Sequence, residues 1–259
     1  MAVVASQPPV RQTSGGTPDA PFQPLADCGN WNPLFYHAFV DDFDQSLGIT
    51  GAYVNIGTTP TNAVVAGDGG IASFTTLVAA GSFAGVQTPV GGFTVNTPPK
   101  KVFWEGRFQM ANVTTQTFLA GLIATFAAPA TPTVVNGVYF SKAAGGVQLV
   151  GNVTVASATV SVNIPLGALA LTNATYFDLA IYITRQGDVE FYADTQLVGF
   201  VPQSNIGTTN GPNNAGCVAR LTAPTLPTVP LSPTIVFGNG ATGAIIAGLA
   251  DFHQAQKER

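Results

Sequence analysis

Alternation with a period of two constrains this chain more than any other feature. In "KKVFWEGRFQM", Val102, Trp104, Gly106, Phe108 and Met110 fall on one side of an extended backbone, with Phe103, Glu105, Arg107 and Gln109 on the other. "VQLVGNVTV" and "ATVSVNI" alternate in the same way. "YFDLAIYIT" sets Phe177, Leu179, Ile181 and Ile183 against Tyr176, Asp178 and Tyr182. The aromatic run "LFYHAFVDDF" and the late segments "TIVFG" and "GLADFHQAQ" read as further strands. Gly and Pro clusters such as "TPVGG", "NTPPK", "AAPATPT" and "LPTVPLSPT" separate them. No long stretch carries a capped 3.6-residue period. Many short strands with turn chemistry between them predict an all-β fold, a sandwich or jelly roll.

The stretch "GDVEFYADTQLVGFV" at 187–201 tests whether the carboxylates serve chemistry or architecture. Val189, Phe191 and Ala193 share one side and Glu190, Tyr192 and Asp194 the other. Asp194-Thr195 interrupts the pattern, and Leu197, Gly199 and Val201 resume it. This is a hairpin with an Asp-Thr turn, a weaker signal than Asp-Gly because Thr tolerates positive φ poorly. Phe191 is expected in the core and Glu190 on the opposite face.

Residues 1–33 are rich in Pro, Gln, Ser, Thr and Gly and read as an extended N-terminal arm, with Phe22 and Trp31 as anchors. Residues 34–259 form a single sandwich domain. Two segments read as irregular insertions in it: 55–98, rich in Gly, Thr and Ala, and 202–234, with five prolines beyond Pro202.

Charge is scarce enough to bear on function. Charged residues are 8% of the chain, against roughly a quarter of an ordinary soluble domain. None occurs over 108–141, 143–177 or 195–219. Sparse charge removes the repulsion that keeps monomers apart, so a protein living in an assembly is expected. The net charge of −4 and the scattered basic residues, adjacent only at Lys100-Lys101, argue against nucleic acid as a partner. The most apolar windows, "FLAGLIATFAAPA" and "ATGAIIAGLA", fall short of the roughly 20 residues of a spanning helix, so no membrane partner is expected. The start "MAVVASQPPVRQ" lacks a signal-peptide core, and Cys28 and Cys217 are therefore expected as free, buried thiols.

The constellations that carry chemistry are missing. There is no Gly-x-Ser-x-Gly elbow, and His37 and His253 each stand alone in aromatic settings. Asp41, Asp42 and Asp44 form an acidic cluster without the calcium-loop pattern; it reads as a strand-end acid patch, with calcium the alternative. Glu105 and Glu190 lack the Glu-x-Asp-x-x-Glu pattern of jelly-roll glucanases and are expected on exposed faces, near Arg107 or solvent. The sequons at Asn112, Asn152 and Asn173 are chance matches in a chain rich in Asn and Thr. No catalytic, cofactor-binding or metal residue is assigned, and no cofactor is expected.

Taken together, "KKVFWEGRFQM", "FLAGLIATF" with Gly121-Leu122, "NGVYF" at 136–140 and the 187–194 hairpin resemble the concanavalin A-like, laminin G-like sandwich of tailed-phage virion proteins. "FYHAFVDDFD" and "ADFHQAQKER" are similar to the first and last strands of such domains, where the termini pair in one sheet. The likeness covers about 34–54 and 100–259. It implies a non-enzymatic protein that decorates or cements a bacteriophage capsid from outside, bridging neighbouring capsomers after synthesis in the host cytoplasm. Its partners would be the major capsid protein and itself, as a homo-oligomer, a trimer if it sits at threefold junctions. The alternative is a carbohydrate-binding module on a virion or cell surface, with glycan as partner and Tyr182 and Tyr192 stacking on sugars.

Overall fold

The computed structural model describes residues 36–41, 43, 53–58, 60–65, 70–89, 92–96, 100–202, 226–241 and 243–258. Among them are fifteen strands and no helix. In chain order the strands are β1 Tyr36–Asp41, β2 Val54–Ile56, β3 Thr61–Val65, β4 Ile71–Thr75 and β5 Phe83–Gln87. Then come β6 Val102–Met110, β7 Thr117–Ile123, β8 Gly137–Lys142, β9 Val150–Val155 and β10 Ala158–Asn163. Last are β11 Tyr176–Ile183, β12 Val189–Ala193, β13 Gln196–Val201, β14 Ser232–Gly238 and β15 Ala247–Glu258. They make two antiparallel sheets packed face to face: the fold is an all-β jelly-roll sandwich. The eight-stranded sheet runs β13-β12-β11-β6-β15-β4-β3, with β1 also on β15; the seven-stranded sheet runs β10-β9-β8-β7-β14-β5-β2.

β15 organises the larger sheet because it is long enough for three partners. One edge pairs with β6; the other pairs with β4 through Ala247–Ala250 and with β1 from His253 to Glu258. The first and last described strands are thereby neighbours, as expected from the two aromatic termini.

The core lies where the alternation put it. Trp104, Phe108 and Met110 of β6 are fully buried and face Phe118, Phe140 and Phe237 from the other sheet. The rings form a connected run: Trp104 stacks on Phe108 at 5.9 Å, Phe108 meets Phe118 edge-on at 5.2 Å, and Phe118 lies 5.3 Å from Phe237. Each buried side chain of this size contributes about 2–3 kcal/mol, and ring pairs add about 1 kcal/mol.

The 187–201 hairpin forms as β12 and β13, with Val189 and Phe191 buried and Glu190 half-buried on the opposite face. Its two-residue turn carries positive φ at both Asp194 (43°) and Thr195 (73°). The β9–β10 turn does the same at Ala156 and Ser157. The twist of the flanking strands demands this geometry, and neither turn offers it a glycine. Phe191 meets Phe140 edge-on at 5.2 Å. A Cβ on Gly151 would stand 2.8 Å from the Phe191 ring, so the seat for that ring requires glycine.

One organisational expectation fails. Residues 55–98 hold strands of both sheets: β2 and β5 extend the seven-stranded sheet, and β3 and β4 the eight-stranded one. Their side chains are mostly small, so the pattern is faint, yet Ala72, Phe74, Ala84 and Val86 are fully buried. The segment 202–234 includes the start of β14, while 203–225 lies outside the described residues. Also outside them are the arm 1–33 and Asp42, Asp44, Cys28 and Cys217.

Candidate functional site

The second set of side chains on β6 and β11 points away from the core and meets in register. Phe103 stands opposite Tyr182, Glu105 opposite Ala180, Arg107 opposite Asp178, and Gln109 opposite Tyr176. On the other flank of β6, β15 sets Gln256 against Phe103 and Gln254 against Glu105. This outer face divides into a closed half and an open half.

In the closed half, Phe103, Ala180 and Tyr182 form a small apolar cluster with half-buried Tyr192 against it. Glu105 is 3% exposed, and its Oε2 accepts a hydrogen bond of 2.8 Å from Gln254 Nε2. Burial pushes the Glu105 carboxyl up to about 7; the Gln254 hydrogen bond pulls the other way, and nearby Asp178 adds to the rise. The expected exposure of Glu105 is thus corrected. Its side chain does follow the alternation to the outer face, but that face is shut off from water there. Gln254 and Gln256 are buried beside it, and among the described residues the Oε1 of each has no hydrogen-bond partner. Tyr182, expected to stand exposed, is only 6% exposed.

Glu190 belongs to a separate pair. Its Oε2 accepts a 2.5 Å hydrogen bond from Tyr192 Oη; burial first, and Glu190 second, push the Tyr192 hydroxyl up. β11 runs between Glu105 and Glu190, with Glu105 opposite Ala180 and Glu190 opposite Tyr182. Two strand spacings and a two-residue offset keep their backbones roughly 12 Å apart.

The open half is built around Arg107. Its Nη1 lies 3.2 Å from Asp251 Oδ2, and its Nε lies 3.8 Å from Asp178 Oδ1. The guanidinium carbon sits 4.8 Å from the centre of the Tyr176 ring. The Arg107 side chain is 35% exposed, Asp178 16% and Asp251 7%. The β6–β15 register shifts between Ala250 and Phe252, leaving Asp251 as the extra residue opposite Arg107. A bulge of this kind re-aims a side chain, and here it brings Asp251 to the guanidinium. Gln109, at the rim, donates from Nε2 to the Ala174 carbonyl at 2.9 Å. The result is a planar cation between two carboxylates, beside a partly exposed aromatic ring.

A second polar cluster lies on the core side of β15. Tyr53 Oη donates to Asp41 Oδ2 at 2.5 Å and meets His253 Nε2 at 2.9 Å. With the tyrosine proton given to Asp41, Nε2 is the donor in the second contact. His253 is fully buried against Phe43, Tyr53 and the edge of Phe39, and burial pushes it down to about 4, so it is neutral. Asp41 Oδ1 accepts from the Phe43 amide at 2.8 Å. No group of three His, Cys, Asp or Glu among the described residues is placed to hold a metal ion. His37 is exposed beside the Phe93 ring.

The sequon asparagines serve the backbone. Asn112 Oδ1 accepts the amides of Thr114 and Thr115, Asn173 Oδ1 accepts that of Val113, and Asn152 is buried in a network with Ser141 and Ser161. Sequence reasoning missed the Arg107–Asp251 and Arg107–Tyr176 contacts. The one available signal was that Arg107 and Tyr176 both take the polar face of their strands.

No protein-family profile matches this sequence, and no curated protein sequence is similar to it. Solved structures do share its fold. A protein of unknown function from Shewanella oneidensis MR-1, SO2946, superposes with a TM-score of 0.53 at 12% identity, over 86% of this chain and 87% of that one. The carbohydrate recognition domain of Emp47p gives 0.50 at 8% identity, over 86% and 97%. A structure from work on the endo-acting O-glycanases with which prominent human gut microbiota initiate mucin breakdown gives 0.54 at 15% identity, over 84% and 97%. The class of protein is therefore a two-sheet sandwich of the lectin-like jelly-roll type.

Proposed function

We propose that this chain is a non-enzymatic carbohydrate-binding module of a virion or cell surface, with the open half of the eight-stranded sheet as its contact face. The observation that carries this is the Arg107 patch. Tyr176 offers apolar ring surface for the carbon face of a sugar, while the partly exposed Asp178 and Gln109 bring polar groups to its hydroxyl edge. The carbohydrate recognition domain of Emp47p, which has this fold, supports the reading. The reading assigns no catalytic role to Glu105 and Glu190, which stand on strands separated by β11. The test is a glycan array followed by calorimetry on the hits. Tyr176→Ala should weaken binding at least tenfold and Tyr176→Trp should retain it. Absence of binding to every glycan at millimolar concentration overturns the proposal.

A second reading, decoration of a phage capsid, is favoured by one end of the sandwich. Val78 and Ile245 are 59% and 62% exposed there. The Asn239 amide donates to the carbonyls of Leu77, Ala79 and Ala244, tying the two loops that present them. This fixed, uncharged tip would dock on a major capsid protein, the chain acting as a homo-oligomer on the capsid exterior. Co-purification with particles, lost in Val78→Asp with Ile245→Asp, tests it; a monomer absent from particles refutes it.

A further inference from the structure

We infer that the closed half of the eight-stranded sheet is the docking site for residues 22–35, the aromatic part of the N-terminal arm of the same chain. Phe103, Glu105, Ala180, Tyr182, Gln254 and Gln256 all point away from the core, and all are buried. The apolar groups packed together there, Phe103, Ala180 and Tyr182 with Tyr192, belong to the sheet itself. A side chain on the outer face of an antiparallel sheet loses its water only when a second layer lies on it. The seven-stranded sheet packs on the opposite face, so no described element supplies that layer. The layer must also donate hydrogen bonds. The Oε1 atoms of Gln254 and Gln256 are buried without a partner among the described residues, and buried acceptors are nearly always paired.

Two long segments outside the described residues adjoin this sheet: 1–35 precedes β1, and 203–225 follows β13. Their composition separates them. Every aromatic residue outside the described ones, Phe22, Trp31 and Phe35, falls in the first segment, and the second has none. A platform of Phe103, Tyr182 and Tyr192 gains most from rings laid against it. The first segment brings donors too: the Trp31 indole N–H, which can only donate, and the amides of Asn30 and Asn32. Its reach is sufficient. Tyr36 pairs with Glu258, and Gln256 pairs with both Ala38 and Phe103. The chain therefore enters β1 two strands and two residues from Phe103, roughly 12 Å away. Five extended residues span at most about 18 Å, which brings Trp31 to Phe103 and Tyr182 without a second copy.

The experiment places a photo-crosslinking benzoylphenylalanine in the full-length protein instead of Tyr192, which is half-buried against the cluster. Irradiation and peptide mapping should join position 192 to a peptide within 22–35, at monomer mass. A crosslink to 203–225, or none, overturns the inference. So does a product of dimer mass, which would give the site to the arm of another copy. Nitration of Tyr182 by tetranitromethane is the second measurement. The unaltered protein should resist it, and Phe22→Ala combined with Trp31→Ala should speed it at least tenfold. Tyr139, buried on the other sheet, should stay protected and so report that the variant is folded. A folded double variant in which Tyr182 remains protected refutes the docking. If both tyrosines react, the variant has unfolded and the crosslink in the otherwise unaltered chain decides.

Discussion

Glu105→Gln should stabilise the protein above neutral pH and leave it almost unchanged in acid. Burial raises the Glu105 carboxyl from its ordinary 4.5 to about 7. The folded state therefore favours the protonated form, and the stability that form allows is complete below pH 4.5. It drains away as pH rises from there to about 7 and stays lost above it. Two and a half pH units at about 1.4 kcal/mol each set a ceiling of about 3 kcal/mol. Glutamine stays neutral, and its amide oxygen can still accept the hydrogen bond from Gln254 Nε2. Urea unfolding followed by the fluorescence of buried Trp104 should show near-equal stability at pH 4.5 and a variant more stable by about 3 kcal/mol at pH 8. In a chain of this size that is roughly 6–12 °C in Tm. A difference that does not change with pH, or a variant weaker at pH 8, refutes the reasoning, because it would mean that Glu105 is charged and well paired in the fold.

The same series should unmask His253, which burial lowers from 6.5 to about 4. Its contribution is full above 6.5 and lost as pH falls towards 4. In the wild type this slope opposes that of Glu105 between 4.5 and 6.5, whereas Glu105→Gln should lose about 3 kcal/mol across the window as it is acidified. Phe191→Ala should cost about 3–5 kcal/mol by chemical denaturation, since the cavity lies between Phe140 and Gly151, while Glu190→Ala should cost about 1 kcal/mol. Thr195→Gly should add about 1 kcal/mol by relieving a β-branched residue at positive φ; a loss of stability would show that the turn carries no strain. No polysaccharide turnover should depend on Glu105, and hydrolysis abolished by Glu105→Gln would contradict this.

How much was legible follows from what alternation encodes. It assigns side chains to faces, and it did so for Val102 through Met110, for β11 and for the 187–201 hairpin. It carries no information about which strands are neighbours. Glu105 and Gln254 are 149 positions apart, and Arg107 and Asp251 are 144 apart, so their pairing depends on β15 lying beside β6. The burial of Glu105 could not be read for the same reason: an outward side chain is exposed only if nothing closes the face. Asp251 needed more still, because a bulge places it and a bulge leaves no mark in a two-residue pattern. The strands within 55–98 escaped because small residues at the periodic positions look like loop composition. Ala72, Ala84 and Val86 become core through their neighbours rather than through their own size.

The distribution of polar groups over the two outer faces bears on where function sits. On the seven-stranded sheet, outer polar side chains bond one another without charge: Tyr139, Thr154 and Thr159 share a row of hydroxyl contacts at 3.1 and 2.8 Å, and Ser141, Asn152 and Ser161 form a parallel row. Gln87 does the same work further along, bonding Thr234 and the Phe126 amide. Uncharged networks of this kind are enough to hold a sheet surface in a chain that is 8% charged. Against that background, Arg107, Asp178 and Asp251 gathered on the other sheet are more charge than the architecture requires. A partly exposed ion network contributes little net stability compared with an apolar or amide surface of the same shape. What it does provide is acceptors of fixed spacing beside an aromatic ring, and that is a property a ligand can use and a fold cannot.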